Sequence, residues 1–256
     1  AGTSSARKLG ITGKEDADTL RCKVPITQYK DWQALIERQM STAQHCLSVS
    51  PCNRYQPTSG STSHVKWIPY TRLFLSQIDT FISPMIYRLY RDFKGLRKGT
   101  HYWSLSWMPT ELRDTAHIDM NDDLKLMPFW KRIFLALTMA VPNQVAYAPT
   151  SEDAMFATVS YLAADRRLSL ISVWSPTFAL GMFDFMGEHR RELVDVLAHG
   201  HWRQRQNALS FLNCPHSRYA ANLLARWDGN KDPSFFKQLW PDLAVISAWD
   251  TATSKI

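Results

Sequence analysis

The chain has 256 residues, of which 45% are apolar, 12% aromatic and 21% charged, and its formal net charge is +7. That length buries a proper core as one large domain or two small ones, and the composition lies far from the disordered class. No apolar run approaches the roughly 20 residues that a membrane-spanning helix needs.

Residues 1–24 are polar and weakly patterned, without a hydrophobic signal-type segment or an initiator methionine. The chain is therefore expected to have been processed, or to be part of something longer. Val24-Pro25-Ile26-Thr27 reads as a short extended piece ending in a helix cap at Thr27. Trp32, Leu35, Ile36 and Met40 then predict a helix over 28–43, and Leu47-Ser48-Val49 a short strand. Four cysteines (Cys22, Cys46, Cys52 and Cys214) contain no Cys-x-x-Cys pair. His45 near Cys46 and Cys52 finds no second ligand pair at zinc spacing, so reduced thiols in a cytoplasmic protein are expected.

Residues 54–71 carry the most information. Thr58, Ser59, Gly60, Ser61, Thr62 and Ser63 cluster around one glycine, and Lys66 follows three residues later. Small hydroxyl residues leave backbone N–H groups uncovered to converge on an anion, the hydroxyls add donors, and the ammonium adds charge. Polyphosphate suits such a loop, and so does plain solvent between two patterned segments. It is not a Walker loop: Val65 stands where the second glycine belongs and Trp67 where the magnesium-binding hydroxyl belongs. Lys66-Trp67-Ile68-Pro69-Tyr70 reads as an extended exit. Thr71 opens an amphipathic helix with Phe74, Ile78, Phe81, Ile82, Met85, Ile86 and Leu89 on one face. The hydroxyl-rich loop is thus expected between two strands, with a long helix beyond.

The charge of +7 fits an anionic ligand or nucleic acid, and the basic run from Arg91 to Lys98 is read as a helix end attracting cations. Tyr102 to Trp107 alternates like a strand, Pro128 to Ala140 has helical periodicity, and Gln144 to Tyr147 suggests a short strand. Thr150 caps a helix reaching about Ala164, and Leu168 to Trp174 is the clearest buried strand. Ser175-Pro176 caps a helix through Phe178, Met182, Phe185, Leu193 and Leu197, with a break near Gly187 and a stop at Gly200. His199-Gly200-His201 reads as that helix terminus rather than a metal site. A helix from Ala220 to Trp227, a turn at 228–230, a short helix from Ser234 to Leu239 and an apolar strand from Leu243 to Trp249 follow. Alternating helices and strands define the α/β class. Asp119, Asp122, Asp123 and Glu152 are scattered over caps and surface turns, so no catalytic residue and no metal ligand is assigned.

Several stretches resemble one family in its own order. They are 24–29, 57–62, 66–71 (Lys-Trp-Ile-Pro-Tyr-Thr), 102–106, 170–178 (Leu-Ile-Ser-Val-Trp-Ser-Pro-Thr-Phe) and 240–247. The chain resembles a bacterial member of the GH3 auxin-responsive promoter family, the acyl-acid amido synthetases. The resemblance implies the large N-terminal domain of an adenylate-forming, firefly-luciferase-like fold, with mixed sheets and packed helices. It implies a ligase that uses ATP and Mg2+ to activate a carboxylic acid as an acyl-adenylate and passes it to an amine such as an amino acid. Thr58, Ser59, Gly60, Ser61, Thr62, Ser63 and Lys66 fall on the family's ATP phosphate motif, Ser63 standing where related loops carry a second glycine. Val173, Trp174 and Phe178 fall on a wall of the acyl-acid pocket.

Residues 1–256 are then a partial N-terminal adenylation domain, without the C-terminal half and lid and inactive alone. The partner expected is that missing half, rather than nucleic acid or membrane. The alternative is a catalytically incomplete domain serving as a binding or partner subunit.

Overall fold

A computed structural model describes residues 2–42, 45–58, 66–104 and 137–248. The chain divides into two compact units, Ala1–Ile86 and Tyr87–Ile256.

The first unit opens with two short helices that the weak patterning conceals, α1 (Ser4–Lys8) and α2 (Ala17–Lys23). Each is started by a side chain: Thr3 accepts from the Ala6 N–H and Asp16 from the Thr19 N–H. The predicted helix is α3 (Tyr29–Thr42). Thr27 is not its backbone cap, because its hydroxyl accepts the Trp32 indole N–H at 2.8 Å. Asp31 instead reaches back to the Gln28 N–H at 2.7 Å, the second half of a capping box. Leu47–Val49 is no strand. Leu47 N–H donates to the Gln39 side chain and Ser50 N–H to the Ser48 hydroxyl, local bonds that replace a ladder.

The two strands flanking the hydroxyl-rich loop are β1 (Cys52–Thr58) and β2 (Lys66–Thr71), paired antiparallel with Thr58 opposite Lys66. The helix after them, α4, runs from Arg72 to Asp92, and Thr71 caps it by accepting the Phe74 N–H at 3.1 Å. The apolar stripe on α4 does not form a buried face within the described structure. Phe74, Phe81, Ile82 and Met85 are exposed, Phe81 at 76%.

In the second unit β3 (Thr100–Trp103), β4 (Leu168–Val173) and β5 (Val245–Ala248) form a parallel sheet in that spatial order. Met139 bridges parallel to His101 on the other side of β3. The chain therefore leaves β3 toward one edge and returns to lay β4 and β5 on the opposite side. That reversal makes the carboxyl ends of β3 and β4 a topological switch point, where open α/β sheets open a crevice for ligands.

Helices α5 (Ser151–Ala164), α6 (Pro176–Glu188), α7 (Arg190–His199), α8 (Gln206–Leu209), α9 (Arg218–Arg226) and α10 (Pro233–Leu239) complete this unit. The sequence signals hold here: Thr150 caps α5, Ser175 caps α6, and the helix breaks between Glu188 and Arg190. Gly200 ends α7 at φ 66°. The core packs Tyr102, Ile171 and Val173 of the sheet against Phe156, Met182, Leu197, Leu224 and Trp240. The expected strand at 144–147 is a 3₁₀ turn over Asn143–Tyr147, begun by the Val145 N–H donating to the Pro142 carbonyl. A short apolar run does not by itself separate the two outcomes. The last strand is shorter than its apolar run, beginning at Val245. Most of the expected helix at 128–140, residues 105–107 of the Tyr102–Trp107 run and the carboxylates Asp119, Asp122 and Asp123 lie outside the described residues.

Candidate functional site

The hairpin brings the two ends of the hydroxyl-rich loop together, since Thr58 and Lys66 form its closing pair. Ser59, Gly60, Ser61, Thr62 and Ser63 lie outside the described residues. Pro57 and Pro69 face Trp67 and Tyr55 across the hairpin. The Trp67 N–H points away from the ladder to the Tyr29 hydroxyl at 2.7 Å, so that register asks no N–H of either proline.

Tyr29, the first residue of α3, holds the loop exit twice. Its hydroxyl accepts the Trp67 N–H at 2.7 Å and lies 3.4 Å from the Trp67 carbonyl, satisfying the open edge of β2. The Lys66 ammonium lies 5.9 Å from the centroid of the Tyr29 ring, within cation–π range. Among the described residues that ammonium has no carboxylate partner.

The second predicted group sits in the other unit, at the carboxyl edge of β4. Val173 is 3% exposed and belongs to the core. Phe178, in the first turn of α6, packs partly buried against that core, and its N–H donates to the Ser175 hydroxyl at 3.1 Å. Trp174 is 56% exposed, so of the three it alone presents a broad face outward.

Sequence reasoning passed over two donors at the same sheet edge. The Trp103 indole N–H and the Ser104 hydroxyl are buried without a hydrogen-bond partner among the described residues. Other buried tryptophans do not behave so: Trp202, Trp227 and Trp240 donate to the carbonyls of Leu212, Asn230 and Leu162 at 2.9, 2.7 and 2.6 Å. Buried Thr158, Ser160 and Ser169 likewise donate their hydroxyls to carbonyls. The backbone holds Ser104 in place, its N–H donating to the Ser172 carbonyl at 2.8 Å. No pattern in the chain marks these groups, because their neighbours come from β4.

Two polar clusters are structural. His101 is 1% exposed, with Nε2 3.0 Å from the Leu96 carbonyl and Nδ1 3.0 Å from the Tyr90 hydroxyl. Burial lowers its pKa below the ordinary 6.5, opposed by the Leu96 contact. Arg205 bonds Glu192 at 2.9 Å, Asp153 at 2.7 Å and Glu152 at 2.8 Å while stacking over Phe156. Burial works against its charge, and the three carboxylates outweigh that and raise its pKa. Glu152 is thereby engaged in an ion cluster rather than poised for acid–base work.

The basic run at 91–98 is a helix end: Arg97 donates to the Tyr90 carbonyl at 3.1 Å, in the last turn of α4. His199 and His201 are likewise tied locally, to the Asp195 carbonyl and the Arg203 N–H. Among the described residues no group of three or more His, Cys, Asp or Glu gathers to hold a metal, and no helix is long and apolar enough to cross a membrane.

Comparison with known proteins identifies this arrangement. The structure of AtGH3.15 acyl acid amido synthetase in complex with 2,4-DB superposes with a TM-score of 0.70 at 19% identity, covering 94% of this chain and 44% of that one. A second structure, GH3.15 acyl acid amido synthetase, gives 0.72 at 18% identity, covering 98% and 46%. The chain thus spans a little under half the length of these structures. No curated protein sequence matches it. The fold is that of part of those synthetases. The model of the GH3 family N-terminal domain matches residues 1–256, and the chain belongs to the GH3 family.

Proposed function

We propose that this chain is the N-terminal portion of an ATP-dependent acyl-acid amido synthetase. In this reading a carboxylate oxygen attacks the α-phosphorus of ATP, the bond to the β-phosphate oxygen breaks, and pyrophosphate leaves. An amine such as that of an amino acid then attacks the acyl carbon, and AMP leaves as the amide forms. Such chemistry asks the protein chiefly to position the reactants and neutralise charge.

The observation that carries the reading is the hairpin, which sets the Lys66 ammonium, without a carboxylate partner among the described residues, at the end of a stretch of small hydroxyl residues in the sequence. Thr58, Ser59, Gly60, Ser61, Thr62, Ser63 and Lys66 are proposed to grip the ATP phosphates. Trp174 is proposed to wall the acid with Phe178, and Val173 to back them from the core. ATP fits this donor set of amides, hydroxyls and one ammonium. Magnesium would enter with the ATP, and no residue of this chain is assigned to hold it. It would supply charge neutralisation for the leaving pyrophosphate. The small acid and the amine are the proposed partners, and the adenine and ribose contacts are proposed to come from the other half of the adenylating enzyme.

The natural protein carrying this chain is expected to exchange labelled pyrophosphate into ATP when given a suitable carboxylic acid. Absence of exchange across a broad panel of aromatic and aliphatic acids, with ATP and magnesium saturating, would contradict the proposal.

A further inference from the structure

The end of α3 nearest the hairpin carries a residue that the phosphate motif does not contain. Tyr29 touches the backbone of the loop exit with its hydroxyl and lies beside the side chain of Lys66 with its ring. These contacts act on consecutive residues of β2, one on the strand and one on the charge it presents.

Among the described residues strand β2 pairs with β1 alone. On its open side the Trp67 N–H would look for water or for another strand, and the Tyr29 hydroxyl takes it at 2.7 Å. That bond fixes where the chain emerges from the loop, one residue beyond the lysine. The aromatic face then restricts the ammonium. A lysine stem has four rotatable bonds, and ordering it costs up to about 2 kcal/mol of rotamer freedom. A ring 5.9 Å away narrows that search without neutralising the charge, as a carboxylate would.

We infer that Tyr29 is a positioning residue for the polyphosphate, acting through Lys66: its hydroxyl anchors the loop exit and its ring holds the ammonium ready. The inference rests on the phosphate-grip reading above and adds a residue far from the motif in sequence, 37 positions before Lys66. Tyr29 itself touches no phosphate in this account. Its influence is confined to the geometry of the lysine.

A double-mutant cycle tests this, with ATP affinity of the natural protein carrying this chain read by calorimetry and thermal unfolding read in parallel. Tyr29→Phe keeps the ring and removes only the hydroxyl. It is expected to weaken ATP binding about 3- to 10-fold, the worth of one neutral hydrogen bond. In the Lys66→Ala background the same change is expected to leave ATP affinity within about 2-fold, because the group it positions is gone. The slope of log Kd against log salt should also fall in Tyr29→Phe toward that of Lys66→Ala, a change that general loosening would not produce. If Tyr29→Phe weakens ATP equally in both backgrounds, or not at all in the wild type, the inference is wrong while the phosphate grip stands. If Lys66→Ala itself leaves ATP affinity unchanged, the grip reading fails and this inference fails with it.

Discussion

Ser104 places a hydroxyl beneath the surface at the end of β3, with no hydrogen-bond partner among the described residues. Burying such a group unsatisfied costs about 1–3 kcal/mol, whereas an apolar group of the same shape costs little. Ser104→Ala is therefore expected to leave stability unchanged or to raise it by up to about 1 kcal/mol in urea unfolding. Ser160→Ala removes a hydroxyl that donates at 2.7 Å to the Phe156 carbonyl and so lacks that gain. A loss above about 1 kcal/mol in Ser104→Ala would show that the hydroxyl has a partner after all. Lys66 is a candidate readable at this scale because a hydroxyl run around a glycine followed by a lysine is a local chemical pattern. Tyr29, Trp103 and Ser104 were not, because their significance lies in what the tertiary fold sets beside them. Trp174 and Val173 are adjacent and equally apolar, and only burial separates the exposed tryptophan from the core valine.

Among the elements, those with side-chain caps and punctuating residues were the readable ones. Thr150, Ser175 and Gly200 mark the ends of α5, α6 and α7 as local chemistry requires. Gly200 sits at φ 66°, a region that a side chain enters at a cost, and an added Cβ would meet the His216 Cβ at 3.2 Å. Gly200→Ala is expected to destabilise the chain by about 1 kcal/mol or more in chemical denaturation, and an unchanged midpoint would contradict the left-handed cap. Elements set by side-chain detours were misread. Leu47–Val49 looks like a strand and is a set of turns, since the amide of Gln39 claims the backbone of Leu47. The 143–147 run has strand composition, yet the turn begun at Pro142 winds it into a 3₁₀ helix. The stripe on α4 is amphipathic as read, but periodicity states which residues share a face and not what covers it.

At the scale of the molecule, alternating helices and strands gave the α/β class, and ordered motifs over residues 24–247 gave the family. The strand order was not readable, because pairing of β4 between β3 and β5 is a long-range choice. Global stability carries a pH signature from His101, whose folded pKa lies below 6.5. The folded chain holds this ring neutral while the unfolded chain protonates it below that pH. This contribution is therefore complete above the unfolded pKa and lost as pH falls from about 6.5 toward the folded value. Urea midpoints should fall over that interval, and the fall should shrink in His101→Gln, which does not titrate. An identical pH profile in the variant would remove His101 from the account.

The central claim, that the loop between β1 and β2 grips polyphosphate through Lys66, is tested most directly by equilibrium binding of Mg-ATP to the natural protein carrying this chain and to its Lys66→Ala variant. The account predicts measurable binding by the wild type, weakened about 10-fold or more when the ammonium is removed, with thermal stability little changed. Equal affinity in the two proteins, or no binding by the wild type at millimolar ATP, would contradict it.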